Sequence, residues 1–96
     1  MLKAFSVYDS KSQAYAQPYF ARSLGEGERM FRQETKNPQS FLHQYPEDFT
    51  LYATGEFCPD TGNYTPYQQH IHVIGAISAK SSPEVQENPN LTELSN

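Results

Sequence analysis

Four kinds of residue in this chain have types and spacings that could do chemistry. Arg29, Arg32 and Lys36 recur at i, i+3 and i+7, with Arg22 a few residues earlier. On a helix that spacing makes a basic stripe, the kind of surface that contacts nucleic-acid phosphates. Tyr8, Tyr15, Tyr19, Phe20, Tyr52, Tyr64 and Tyr67 form a pool of aromatic rings. Bases stack on exposed aromatics with about 1–3 kcal/mol per base and little regard for sequence, and Tyr8 and Tyr52 alternate away from the expected core. His70-x-His72 sets two imidazoles on one strand face, half of a metal site. Cys58 is the one thiol of the chain.

Each pattern has a plainer reading. The stripe reads equally as a solvated helix face, with Glu28 paired to Arg32 at i, i+4. The tyrosines read as core and rim of an aromatic-rich fold. The histidine pair lacks a third ligand in sequence, so no metal and no cofactor is expected. Cys58 lies in a turn with no His placed beside it by sequence, which makes it an incidental thiol. Gly25-Glu26-Gly27-Glu28 has two acids where a phosphate loop needs a lysine, and Glu47-Asp48 after Pro46 reads as a strand-entry turn. No catalytic constellation remains, and the expectation is a non-enzyme.

Net charge sets the electrostatic context. Residues 1–40 carry Lys3, Lys11, Arg22, Arg29, Arg32 and Lys36 against Asp9, Glu26, Glu28 and Glu34, a balance of +2. Residues 41–80 stand at −3, residues 81–96 at −3 again, and the whole chain at −4. The anion-attracting half is therefore N-terminal, and Lys3 and Lys11 join the candidate phosphate contacts. No run approaches the ~20 apolar residues of a membrane span, and the N-terminus lacks the apolar core of a secretory signal. One cysteine permits no internal disulfide, so a reducing cytoplasm is the expected compartment.

The elements that must position these residues follow from periodicity. The 96 residues suit one domain. Residues 2–9 alternate as a strand, and Pro18 confines residues 18–21 to a short edge segment. Ser23 with Glu26 has the capping-box spacing, and a helix is expected from Leu24 to Lys36, stopped by Asn37-Pro38. Its inward side would be Leu24, Gly27, Met30, Phe31 and Glu34. A single turn is expected at Ser40–His43. Residues 49–57 alternate as a strand, Cys58–Asn63 reads as a turn, and Tyr64–Tyr67 pairs back after it. Residues 70–78 form the strongest strand pattern, with Ile71, Val73 and Ile77 on one face and His70, His72 and Ile74 on the other. Phe5, Phe31, Phe49 and Phe57 are assigned to the core. The expected fold is α+β: an antiparallel sheet of about four strands against one helix, in a domain of residues 1–80. Residues 81–96, rich in Pro, Glu, Asn and Ser, are expected to be a disordered acidic tail with a short helical contact at Leu91–Leu94.

In order and spacing, several segments together resemble one family. They are Phe5-Ser6-Val7-Tyr8-Asp9-Ser10-Lys11, Ala14-Tyr15, Pro18-Tyr19-Phe20-Ala21, Pro46-Glu47-Asp48-Phe49-Thr50-Leu51-Tyr52, Gly55-Glu56-Phe57 and Asp60-Thr61-Gly62. They cover about residues 3–66, and the chain is similar there to the small non-structural DNA-binding protein of the gokushoviruses (Microviridae), bacteriophages with single-stranded circular DNA. The last strand and the tail fit only loosely. The resemblance implies a non-structural phage protein of the host bacterial cytoplasm that binds single-stranded DNA. It further implies action in the switch from genome replication to single-stranded DNA synthesis and viral genome packaging. It supplies no catalytic residues.

Two function classes are thus open. One is a single-stranded DNA binder, favoured by the basic half and the spare aromatics. The other is a protein–protein adaptor for the phage replication initiator, a host replication protein or the procapsid, favoured by the acidic balance. A homodimer is expected in either case, because the 70–78 strand and the tyrosine-rich surface exceed what about 80 residues readily hide.

Overall fold

The computed structural model describes residues 1–81. Leu2–Asp9 forms β1, Ala14–Tyr15 β2, Tyr19–Ala21 β3, Leu24–Thr35 α1 and Phe41–Gln44 α2. A 3-10 turn at Pro46–Asp48 leads into β4 (Phe49–Phe57), followed by β5 (Tyr64–Gly75) and α3 (Ala76–Ser81). The five strands make one antiparallel sheet in the order β2-β1-β4-β5, with β3 pairing β1. The helices cover one face. The expected α+β class is what forms, with five strands rather than about four, because the two-residue β2 is too short to show alternation.

Alternation on β1 and β4 builds the core. Phe5 faces Ala53 and Val7 faces Leu51 across the pair, and all four sit on the helix side. Phe5, Leu51 and Phe31 of α1 are essentially unexposed, each such side chain contributing about 1.5–3 kcal/mol. Ser23 caps α1, its Oγ accepting from the Glu26 amide at 3.1 Å. The helix ends at Thr35, with Lys36 as its C-cap.

Its inward side differs from expectation. Gly27, Phe31 and Thr35 are buried, whereas Leu24 and Met30 are 40% and 43% exposed. At Gly27 a Cβ would overlap the Phe5 ring. The missing side chain lets α1 settle onto Phe5, and the Tyr19 hydroxyl donates to the Gly27 carbonyl at 2.8 Å. Glu34, also expected inward, is exposed, and Met30 lines the mouth of an apolar cavity with Val7, Tyr19, Phe31 and Leu42.

The C-terminal strand is also corrected. Residues 64–67 and 70–75 are one strand, and 76–78 leave the sheet as the start of α3. Ala76 and Ala79, at i and i+3, are fully buried, where small helix-forming side chains fit the packing of α3 on α1. Ile74 and Val73 both pack on the core, while Ile71 and Ile77 are exposed. A register slip explains the broken alternation: Val73 bulges out between the Ile74 and His72 pairings. Phe57 lies outside the core and packs on Phe20 on the other face, at 5.7 Å between ring centres. Phe49 is half-buried against the core. Ser81, expected in the tail, ends α3; the rest of that tail and its Leu91–Leu94 contact lie outside the described residues.

Candidate nucleic-acid interface

The sheet face on which no helix of the described residues packs gathers the aromatic residues that alternation sends away from the core. Tyr8 on β1 lies opposite Tyr15 on β2, their ring centres 4.9 Å apart. Tyr52 on β4 lies opposite His72 on β5, at 5.8 Å and nearly perpendicular. Tyr15 stands edge-on to Tyr52 at 6.0 Å and to His70 at 5.1 Å. The Tyr15 hydroxyl and His70 Nδ1 are 3.3 Å apart. Five rings from four strands thus form one contiguous cluster.

Two features of the sequence allow it. Beneath the rings, Ala4 and Ser6 point to the same face of β1 and are buried without a helix over them. Ser6 satisfies its hydroxyl on the Ala16 carbonyl at 2.6 Å. These small residues leave room for Tyr15 and His70 to meet across β1 and β4. The second feature is a double slip at Thr54. β1 skips it between the Phe5–Ala53 and Ala4–Gly55 pairs, and β5 loops Tyr67–His70 out opposite it. Gly55 is needed there, since a Cβ would stand 2.6 Å from the Thr65 carbonyl oxygen. The excursion of β5 brings His70 out beside His72 on the ring cluster.

The electrostatics of this face are unlike those of the helix stripe. None of its strand positions is Asp, Glu, Lys or Arg. Lys11 is exposed in the turn joining β1 to β2, three residues on from Tyr8 in sequence. Gln13 closes that turn with φ of +59° and donates its amide to Asp9. The other predicted cations lie elsewhere, and most are engaged. Arg32 forks onto Glu28 Oε2, the Nη2 contact being 2.6 Å. Arg22 pairs with Glu26 at 3.0 Å, which holds the Glu26 carboxyl below the usual carboxylate range. Lys36 donates to the Lys80 and Ala79 carbonyls, tying the end of α1 to the end of α3. Arg29 is exposed on α1, with no salt bridge among the described residues.

Lys3 sits at the opposite end of β1 from Tyr8. Its ammonium is 3.1 Å from Glu56, which also accepts from the Tyr67 hydroxyl at 3.1 Å. The hydrogen bond with Lys3 holds the Glu56 carboxyl low and the Lys3 ammonium high. Of the eight residues expected to bind nucleic acid, the structure brings together Tyr8, Tyr52 and, at the rim, Lys11. Arg22, Arg29, Arg32 and Lys36 belong to the helical layer behind the sheet.

Sequence reasoning missed Tyr15, His70 and His72 as members of this cluster. For the histidines a signal existed, since His-x-His on a strand guarantees a shared face. Among the described residues no group of three or more His, Cys, Asp or Glu is placed to hold a metal. Cys58 is half-exposed in the Cys58–Asn63 turn. Hydrogen bonds from the Thr61 hydroxyl and from the Thr61 and Asp60 amides hold its thiol below the ordinary value.

The family model for the phage ORF5 protein matches residues 2–79, nearly all of the fold just described. The chain belongs to the phage ORF5 protein family. No curated protein and no solved structure matches it. The family match spans β1 through most of α3, so the ring cluster and its supporting strands lie within it. In this phage protein no helix among the described residues is long and apolar enough to cross a membrane.

Proposed function

We propose that this ORF5-family protein binds single-stranded DNA on the open face of its sheet. In this reading it is a non-enzymatic accessory of the host bacterial cytoplasm, acting in the switch from phage genome replication to single-stranded DNA synthesis and packaging. The observation that carries the reading is the five-ring cluster of Tyr8, Tyr15, Tyr52, His70 and His72 on a face without helices among the described residues. Tyr15, His70 and His72 are exposed and Tyr8 and Tyr52 half-buried, and rings held in tilted and edge-to-face contact offer π-surface to unstacked bases of any sequence. A strand laid with its bases on the rings turns its phosphates outward, where Lys11 is the cation at the rim. Base stacking then outweighs charge, which suits a chain of net charge −4.

A distinct observation supports the adaptor reading. Lys3, Arg22 and Arg32 are each neutralised by a carboxylate, which leaves little free positive surface to draw in DNA. The chain contains no Trp, so its tyrosine fluorescence is unmasked, and three of its seven tyrosines (Tyr8, Tyr15 and Tyr52) lie in the cluster. Titration with a thymidine oligonucleotide should quench it and raise the anisotropy of a labelled strand, and a duplex of equal length should bind far more weakly. No binding to single strands at low salt would refute the DNA reading and leave the adaptor.

A further inference from the structure

We infer that β5 pairs with β5 of a second copy of this chain, antiparallel about a twofold axis normal to the sheet. β5 is the outer strand of the order β2-β1-β4-β5, so among the described residues one side of its backbone has no strand beside it. Proteins usually guard such an edge with charged side chains, prolines, bulges or breaks. The opposite edge of this sheet is guarded: it consists of two short strands, β2 and β3, separated by a segment containing Pro18. β5 is guarded less. Its twelve residues contain no Asp, Glu, Lys or Arg. Pro66 and the Tyr67–His70 excursion protect the first part, and Ile71-His72-Val73-Ile74-Gly75 is left with no charge or proline and one bulge, at Val73, three of its five residues being β-branched. Ile71 is 43% exposed there although it lies opposite the buried Ala53.

The identity of the occupant follows from charge and symmetry. Two chains of net charge −4 repel wherever their acids meet, and along β5 there are none to meet. An isologous pairing uses one edge twice, so it satisfies both copies and closes without leaving that edge for a third. A twofold axis normal to the sheet reverses strand direction and keeps each face on its own side. Both helical layers then lie behind one continuous sheet, and both ring clusters lie in front. His70 and His72, the cluster members carried by β5, come nearest the axis. The pairing itself does not depend on DNA binding; the doubled ring surface rests on the reading proposed above.

The test is sedimentation of the full chain at high micromolar concentration, with Ile71→Lys as the edge-blocking variant. The wild type should run at twice the chain mass, and the variant at the chain mass with an unchanged circular dichroism spectrum. Hydrogen exchange on the wild type, at low and high concentration, needs no substitution and covers a variant that fails to fold. Protection of residues 71–75 should rise with concentration, while that of β2 and β3 should not. A monomeric wild type, a folded variant that stays dimeric, or concentration-dependent protection away from β5 would each overturn the inference. A dimer that binds no oligonucleotide would sink the DNA reading and leave the pairing intact. A monomer that binds would do the reverse.

Discussion

Replacing Tyr52 by Ala removes the centre of the ring cluster. Tyr52 is the ring that touches Tyr15, His70 and His72, at 6.0, 6.3 and 5.8 Å between centres. A base stacked there contributes about 1–3 kcal/mol, so its loss should weaken single-stranded DNA binding by about 5- to 140-fold at 1.4 kcal/mol per tenfold. The substitution removes no charge, so the log–log dependence of affinity on salt should keep its slope. Tyr52→Phe keeps the ring and should bind within about twofold of the wild type, which separates stacking from any role of the hydroxyl. The contrasting variant is Arg29→Ala with Arg32→Ala, on the helical layer behind the sheet. It should leave affinity nearly unchanged, whereas arginines that neutralise phosphates would each take about one unit of salt slope with them. Anisotropy titrations of a labelled oligonucleotide at four or five salt concentrations measure both quantities. Binding that survives Tyr52→Ala and fails in the double arginine variant would refute the assignment to the sheet face and move the interface to α1.

Gly27→Ala should destabilise the fold by about 1–3 kcal/mol in urea unfolding, because its Cβ overlaps the Phe5 ring. Gly25→Ala, with nothing within 4 Å of the added carbon, should instead stabilise by about 0.4–1 kcal/mol. Burial pushes the Tyr19 phenol up to about 12. The neutral phenol is therefore favoured in the folded state, and its contribution is complete below the unfolded value of 10.0 and lost as pH rises toward 12. Tyr19→Phe should flatten the alkaline limb of the melting temperature over that window. The low Glu56 carboxyl works the other way: its contribution is present above the ordinary value of 4.5 and fades as pH falls below it, so Glu56→Gln should make the acid limb of the melting curve shallower. Thr61→Val removes a hydrogen bond to the Cys58 thiol and should move the pH midpoint of its alkylation upward.

How much was legible depended on how local the cause was. The Ser23 cap, the stop before Pro38 and the strands 2–9 and 49–57 rest on near neighbours, and they form as the residues predict. Tyr8 and Tyr52 were identifiable as outward-facing by alternation alone, since a strand of period two sends them opposite Phe5 and Leu51. The Glu28–Arg32 pair was equally open to inspection at i, i+4. What the sequence by itself determined is thus the class of fold, the capped helix and the surplus of rings on one face.

Tertiary structure decided where those pieces meet. Nothing local announces that Gly27 accommodates Phe5, yet that contact is where α1 lies closest on the sheet, while Met30 stays 43% exposed. Ala76 and Ala79 leave the sheet for α3 because a buried site against α1 awaits them, while the preceding alternation alone would have prolonged the strand. The meeting of Tyr15 with His70, fifty-five residues apart, depends on register slips at Thr54 and on small side chains at Ala4 and Ser6. Periodicity specifies which face a residue takes but carries no information about which strand lies beside it. Strand order and bulges depend on long-range pairing, and they make the scattered rings one surface.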